Sequence, residues 1–302
     1  MTDYLNVSVI IPNYNGEELL ANNIPSLIKA FQNKSNNILE IIIVDDNSKD
    51  KSIIFLKNNF PQIKIIKHKV NRGFAASVNT GVRSSKGKLI CLLNTDVSVS
   101  NDFLISVFNH FKNINIFGVS FHEKGYGWAK GIFKDGFILH KPGIEDNLTH
   151  NSFWVSGGSG IFRKDLWVSF GGFDERLFKF YWEDVDIAYR AQKRGYILIW
   201  DPNAHVEHKH ELTTGKKYSK RTIRRMQDVN QIIFIWKNLT SPSLFKKHIL
   251  GLVKRISKHP GFIIIVVLAI LKLKRISWAR KKEKKETKVS DEAIFAGFAD
   301  MH

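Results

Sequence analysis

Glu183, Asp184 and Asp186 follow three consecutive aromatic rings, Phe180, Tyr181 and Trp182, in the run FYWEDVDIAYR. Carboxylates in the first turn of a helix are stabilised by its unpaired N–H groups and macrodipole, by about 0.3 to 1 kcal/mol each. That accounts for Asp186, which stands four residues before Arg190 and can pair with it. It leaves Asp184 unexplained, because at helical spacing Asp184 shares a face with Ile187, Ala188 and Ala191, the stripe that must turn inward. Rings that exclude water raise the pKa of such a carboxylate, against the pull of the helix dipole.

A second set of polar residues sits where apolar runs stop. Leu89–Leu93 ends in Asn94-Thr95-Asp96, and a carboxylate at that point suits an oxygen-ligated Mg²⁺ or Mn²⁺ bridging phosphates. A lone Asn-X-Asp is equally ordinary turn chemistry, so its neighbours must decide. Leu39–Val44 ends in Asp45-Asp46-Asn47-Ser48, whose carboxylates can accept from a base N–H or from ribose hydroxyls. Asn71-Arg72-Gly73 adds a guanidinium able to meet phosphate oxygens. No GxGxxG follows the first apolar run and no GxxxxGK[ST] occurs, which weakens dinucleotide and P-loop readings.

The elements that must position these groups follow from periodicity. Strands are expected at Val7–Ile11, Leu39–Val44, Ile63–Ile66 and Leu89–Leu93, and helices over Leu19–Ile28 (bent by Pro25), around Ile53–Leu56, and over Phe74–Val82. A further helix is expected over residues 183 to 195 and a strand over Tyr196–Trp200, while residues 120 to 150 give no usable period. Continuously apolar strands alternating with helices imply a mainly parallel sheet covered on both faces, with ligands bound at the strands' C-terminal edge.

Composition bounds the rest. The single cysteine, Cys91, has no partner and reads as core, which excludes a disulfide framework. The N-terminus lacks a signal-peptide pattern, so a cytoplasmic location is expected and the Asn-X-Ser/Thr triplets at Asn33, Asn147 and Asn238 read as chance matches. The formal charge of +18 is uneven: residues 246 to 288 hold 14 Lys/Arg against 2 Glu. These cations flank the apolar run Gly261–Leu271, which is shorter than the ~20 residues a spanning helix needs and reads as a helix lying in a membrane interface. Nucleic-acid binding is not expected, since the cations alternate with an apolar block better suited to lipid than to a groove.

Taken in order, Val7-Ser-Val-Ile-Ile-Pro-Asn-Tyr-Asn15, Ile43–Ser48, Asn71-Arg-Gly-Phe74 with Asn79, Leu93-Asn-Thr-Asp96, Gly171-Gly-Phe-Asp-Glu175, Trp182-Glu-Asp-Val-Asp186 and Pro202–His208 resemble the family 2 glycosyltransferases. These are inverting enzymes of the GT-A fold, and the likeness is greatest to rhamnosyltransferase-like bacterial members; it covers residues 7 to 210. The resemblance implies a single Rossmann-like α/β domain over residues 1 to 240, with a nucleotide-sugar half to about 120 and an acceptor half beyond. A basic amphipathic membrane-associating segment over 241 to 280 and a disordered tail over 281 to 302 would follow.

Carried onto this chain, the resemblance places Pro12, Tyr14, Asn15, Asp45, Asp46, Asn71, Arg72, Gly73, Asn79, Asn94 and Thr95 around the donor nucleotide-sugar. Asp96 and His208 fall at a divalent metal, Mg²⁺ or Mn²⁺, on the diphosphate. Asn-Thr-Asp carries one carboxylate, so Asn94 would contribute only weakly. Asp184 is implied as the base that takes the acceptor hydroxyl's proton, with Glu183 supporting it or holding an acceptor hydroxyl. Trp154, Gly158 and Trp182 are the remaining acceptor-side candidates; Trp154–Gly160 could equally be a Gly-rich turn before Lys164. The implied function is inverting transfer of a sugar, rhamnose from dTDP or another from UDP, to a polyprenyl-linked or cell-surface glycan at the cytoplasmic membrane face, with anionic lipid held by the basic segment. The alternative is a basic membrane- or nucleic-acid-binding protein on the same scaffold without catalysis.

Overall fold

The computed structural model describes residues 5–208 and 219–299. Its strands are β1 (Val7–Asn13), β2 (Ile38–Asp45), β3 (Lys64–Lys67), β4 (Leu89–Leu93), β5 (Val97–Val99), β6 (Ile116–Glu123), β7 (Ala129–Lys134), β8 (Phe137–Pro142), β9 (His150–Asn151), β10 (Ser159–Arg163) and β11 (Ile197–His208). The α-helices are α1 (Glu17–Gln32), α2 (Ser52–Asn59), α3 (Phe74–Ser84), α4 (Val107–His110), α5 (Lys164–Phe170), α6 (Glu183–Lys193), α7 (Lys220–Asn238), α8 (Pro242–Lys258), α9 (Ile263–Ile270), α10 (Leu273–Glu286) and α11 (Asp291–Ala296).

One sheet in the order β3-β2-β1-β4-β10-β6-β11-β5, with β9 beside β11, carries the fold. β3, β2, β1 and β4 run parallel, as do β6 and β11; β10 is antiparallel between β4 and β6. Continuous apolar strands follow from this burial. Val7, Val9 and Ile11 of β1 pack under Leu20, Ile24 and Leu27 of α1, while Ile10 between them meets Ala75, Val78 and Val82 of α3 on the other face. α1 runs through Pro25 without a break.

Two expectations are corrected. Residues 129 to 142 form the β7–β8 hairpin, closed by Asp135 and Gly136 with φ of 52° and 85°, the positive values that a two-residue Asp-Gly turn favours. Residues 281 to 299, expected to be disordered, continue α10 and form α11, with Ile276, Ala279, Ile294 and Phe298 buried. The charges that suggested disorder are spent inward. Asp291 is fully buried and accepts from Tyr189 Oη (2.7 Å), Lys193 Nζ (2.8 Å) and the Thr240 and Ser241 N–H groups (2.7 and 2.6 Å), while Arg194 pairs with Glu283 at 2.7 Å. Paired in this way, charged residues become core.

Candidate active site

α6 begins at an unusual turn. Tyr181 and Trp182 both have positive φ, 64° and 73°, a conformation that costs bulky residues about 1–2 kcal/mol apiece and persists only where the surroundings impose it. Here α7 imposes it: Asn230 Nδ2 donates to the Phe180 and Tyr181 carbonyls at 2.7 and 3.1 Å, and the Trp182 ring lies 5.0 Å from Phe234. The turn sets the register of the acids that follow. Ile187, Ala188 and Ala191 are buried, as their spacing required, and Asp184 lies on the same stripe at its open end.

Asp184 is half-buried and accepts from Val185 N–H at 2.8 Å and Gly157 N–H at 3.3 Å. Burial pushes its carboxyl up to about 6, against the pull of those N–H groups. Glu183 is the deeper of the two, at 6% exposure, and its Oε2 has no partner. Burial first, and then the neighbouring Asp184 charge, drives it well above the usual carboxylate range. It is thus less open to a ligand than Asp184.

Asp186 corrects the helix-dipole account more sharply. It is fully buried and meets Arg190 at 2.8 Å, Lys237 at 2.9 Å and Asn238 at 2.8 Å. Burial would raise its pKa, but Lys237 and Arg190 together hold it below the usual range. Lys237 also reaches Asp174 at 2.9 Å, so one ammonium from α7 pins the Gly171–Phe180 loop to the first turn of α6.

The Asn-Thr-Asp segment lies at the end of β4. Asp96 is buried and faces His208 Nε2 at 3.2 Å, and His208 Nδ1 meets Glu123 at 3.0 Å. Burial alone would lower the imidazole's pKa; the flanking Asp96 and Glu123 carboxylates overcome it and raise it to about 9. Glu123, which also accepts from Ser159 Oγ, was missed in the sequence, although like Asp96 it ends an apolar strand. A carboxylate oxygen and an imidazole are donors that a hard divalent ion accepts, and Mg²⁺ commonly takes only one or two protein ligands besides phosphate. Asp96 fits that role; His208, with both ring nitrogens on carboxylates, would join it by giving up its Nε2 proton, and among the described residues no set of three side chains is arranged to hold a metal ion.

Gly157 and Gly158 join the two chemistries. Gly157 N–H supports Asp184, and the Gly158 carbonyl accepts from Asn94 N–H at 2.8 Å, so consecutive residues, with Cα atoms about 3.8 Å apart, touch the base and the Asn-Thr-Asp segment. A Cβ on Gly158 would lie 2.4 Å from Asn94 Nδ2, which explains the glycine. Gly158 is therefore a close-approach position. Trp154 stands near this loop with His140, from β8, between it and Trp182: ring centroids are 5.6 and 5.9 Å apart. His140 had no sequence signal because the hairpin bearing it was unassigned.

On the donor side the expected carboxylates are already employed. Asp45 is fully buried and takes Asn13 Nδ2 at 3.0 Å and Ser48 N–H at 3.1 Å. Asp46 accepts from Arg72 N–H (2.8 Å), Gly73 N–H (2.7 Å) and the His68 ring (2.8 Å), while Asn71 donates to its carbonyl at 3.1 Å. Both were expected to meet base or ribose directly; the structure makes them the staples of the loops after β1, β2 and β3. Asn15 does likewise, receiving Lys49 N–H at 2.7 Å and giving its own N–H to Ser48 Oγ at 2.9 Å. Pro12 pairs with Val44 in the β1–β2 register, which brings Tyr14 to the same edge. Thr95 offers its carbonyl to Asn23 at 2.9 Å. The Arg72 guanidinium is exposed and lies 3.1 Å from Glu175. Asn79 is corrected: both its amide atoms clamp the Phe173 backbone, at 2.8 and 3.0 Å, behind the site.

Comparison with known proteins bears on the family and the fold. The sequence profile described as "Glycosyl transferase family 2" matches residues 8–169. A UDP-Glc:alpha-D-GlcNAc-diphosphoundecaprenol beta-1,3-glucosyltransferase, WfgD of Escherichia coli, is 28% identical over 162 residues, 53% of this chain and 59% of its own length. Thus the chain spans less than two thirds of the length of that relative. Among solved structures, GalNAc-T7 with UDP, GalNAc and Mn²⁺ superposes with a TM-score of 0.65 at 17% identity, over 86% of this chain and 58% of the other. The mannosyltransferase PcManGT of Pyrobaculum calidifontis, with GDP-Man and Mn²⁺, gives 0.57 at 15%, over 94% and 86%.

Proposed function

Since the chain belongs to glycosyl transferase family 2, we propose that it transfers a sugar, with inversion, from a nucleoside-diphosphate sugar to a hydroxyl of a polyprenyl-linked or cell-surface glycan. The observation that carries this reading is the joining of a half-buried carboxylate raised to about 6 with the Asp96–His208 pair by two consecutive glycines. One group can remove a proton at neutral pH; the other can hold a diphosphate through a divalent ion.

In the reaction the acceptor oxygen bonds to the anomeric carbon as the bond from that carbon to the diphosphate oxygen breaks, and the leaving diphosphate keeps the electron pair. Asp184 takes the hydroxyl proton, and above pH 6 it is ionised and ready to do so. Asp96 and His208 would hold Mg²⁺ or Mn²⁺, which supplies charge stabilisation for the leaving diphosphate. Arg72 is placed to supplement it. Asp45, Asp46 and Asn15 act by shaping the donor loops, and Trp154, His140 and Trp182 offer ring faces to an acceptor sugar. A lipid-linked acceptor, like the one in that relative's name, would put the work at a membrane surface, and we take that side to be the cytoplasmic face. The donor is left open among dTDP-rhamnose and UDP or GDP sugars, and the turnover panel decides between them.

The test is turnover of UDP-, dTDP- and GDP-sugars on a short-chain polyprenyl-diphosphate saccharide, with Mn²⁺ or Mg²⁺ and with the anomeric configuration of the product determined. Inverted product, abolished in Asp184→Asn with donor binding retained, supports the reading. A folded protein that binds no nucleotide sugar, or a retained configuration, overturns it.

A further inference from the structure

α9 is apolar on every side, yet only half of it is used. Ile265 and Ala269 are buried on the side packed toward α7, whereas Ile263, Ile264, Val267, Ile270 and Leu271 point outward, with exposures from 46% to 76%. These five follow i, i+1, i+4, i+7, i+8 spacing and form one continuous stripe. α8 extends the surface with Leu250 and Val253, both more than 60% exposed, while its opposite side is fastened to the β7–β8 hairpin by His248 Nδ1 on the Gly136 carbonyl at 2.7 Å. On α10, Leu273 and Trp278 stand out from a helix whose Ile276 and Ala279 face the core. Scattered exposed aliphatic residues are ordinary; three successive helices that each present them are not.

The charge around this surface selects its partner. Residues 229 to 282 contain twelve Lys/Arg and no Asp or Glu. Lys246, Lys247, Lys254 and Lys258 of α8 and Lys274 and Arg275 of α10 are exposed beside the apolar stripes. A second copy of the chain would bring like charges together across its interface. An aliphatic face bordered by lysines, with an exposed tryptophan, matches instead the boundary between lipid headgroups and acyl chains. At 1.5 Å per residue the eight residues of α9 extend about 12 Å, far short of the ~30 Å hydrocarbon core, and among the described residues no helix is long and apolar enough to cross a membrane.

We infer that α8, α9 and α10 form a docking face that lies in the surface of an anionic phospholipid bilayer, with Ile264, Val267, Leu250 and Val253 entering the acyl boundary and the lysines meeting headgroups. The face is continuous with the catalytic elements: Lys272, between α9 and α10, donates to the Leu177 carbonyl at 3.1 Å in the loop that leads to Tyr181. A docked protein would thus hold its acceptor cleft close to the lipid surface.

Flotation of the full chain with vesicles tests this, using phosphatidylcholine alone and phosphatidylcholine mixed with phosphatidylglycerol, at low and high salt. The expected result is flotation with the anionic vesicles, weakened by salt, and about tenfold or more weaker in Ile264→Glu/Val267→Glu at an unchanged melting temperature. Leu250→Glu/Val253→Glu, on a different helix, is expected to give the same loss and guards against a folding defect in the first pair. The inference falls if the unsubstituted protein floats with neither vesicle, or if both Glu pairs float as it does. It also falls if the protein is a dimer that Ile264→Glu makes monomeric, or if binding needs an added acidic protein in place of lipid. Turnover of nucleotide sugar toward a water-soluble acceptor in the same samples separates the two readings: flotation without turnover keeps the docking face and removes the transfer activity, and turnover without flotation does the reverse.

Discussion

The donor edge and the catalytic helix both hold buried carboxylates, but they neutralise them by different means. Asp45 and Asp46 are satisfied largely by backbone N–H groups and neutral side chains from the adjoining loops, at Ser48, Arg72 and Gly73. Asp186 is satisfied by an ammonium and an amide from α7, about fifty residues along the chain, and Lys193, at the far end of α6, by Asp291 from α11. Apart from Ser48, the donors to Asp45 and Asp46 stand 22 to 32 residues away, in segments that all lie within the matched family region. Long-range ion pairs make the catalytic helix depend on segments outside the matched family region, residues 8–169, and this predicts that the two regions fail differently when broken.

The largest effect is expected at the base. Asp184→Asn should lower kcat by about 10²- to 10⁴-fold with donor affinity kept. The raised pKa means that the folded state keeps a proton that the unfolded chain has released, so stability falls as pH rises from the ordinary value of 3.8 to about 6. The substitution should therefore raise the melting temperature at pH 8 and leave it unchanged near pH 3, where both states are protonated; an equal shift at both pH values would show that the carboxyl is not strained by burial.

Next comes Lys237→Met, which takes a cation from both the Asp174 and Asp186 carboxylates and should cost about 3 kcal/mol in denaturant unfolding, with kcat falling more than donor affinity. Adding Asp174→Asn, which removes the carboxylate left without a cation while Asp186 keeps Arg190, should restore part of the stability. If Lys237→Met loses only donor affinity, the contrast between the two regions is mistaken. On the donor side, Asp46→Ala leaves the Arg72 and Gly73 N–H groups without their acceptor and should cost about 1 to 3 kcal/mol, with weaker nucleotide binding by calorimetry and kcat at saturation nearly unchanged. The smallest expected effect is pH dependence: kcat should fall about tenfold per unit below pH 6 as Asp184 takes up its proton, and the Asp46→Ala variant should keep the same profile.

Much of this was legible along the chain. The apolar runs of β1, β2 and β4 and the polar residues at their ends located the ligand edge, because a parallel sheet covered on both faces leaves only its strand ends open to solvent. The inward face of Asp184 followed from helical spacing with Ile187 and Ala188. The rest was hidden for identifiable reasons. Charge density over residues 281 to 299 reads as solvated until Asp291 and Glu283 are seen paired in the core. Asp186 reads as an i, i+4 surface pair until Lys237 is seen beneath it. Glu123 became part of the site only when β6 was laid beside β11 and brought it to His208. The Asp135-Gly136 turn was a readable signal that the irregular run around it obscured.

Local chemistry by itself thus determined the polar ends of the strands, the helix that carries Asp184, the lone buried cysteine and the concentration of cations against an aliphatic run. These depend on residues within a turn or two of one another, where period and propensity act directly. Tertiary structure alone decided which carboxylate stays reachable and which is locked away, since a buried charge is tolerable only beside a partner that the fold delivers from elsewhere. It also decided which half of α9 the core covers, leaving the other half as the outward face, because a helix that is apolar all round carries no mark of its own inside.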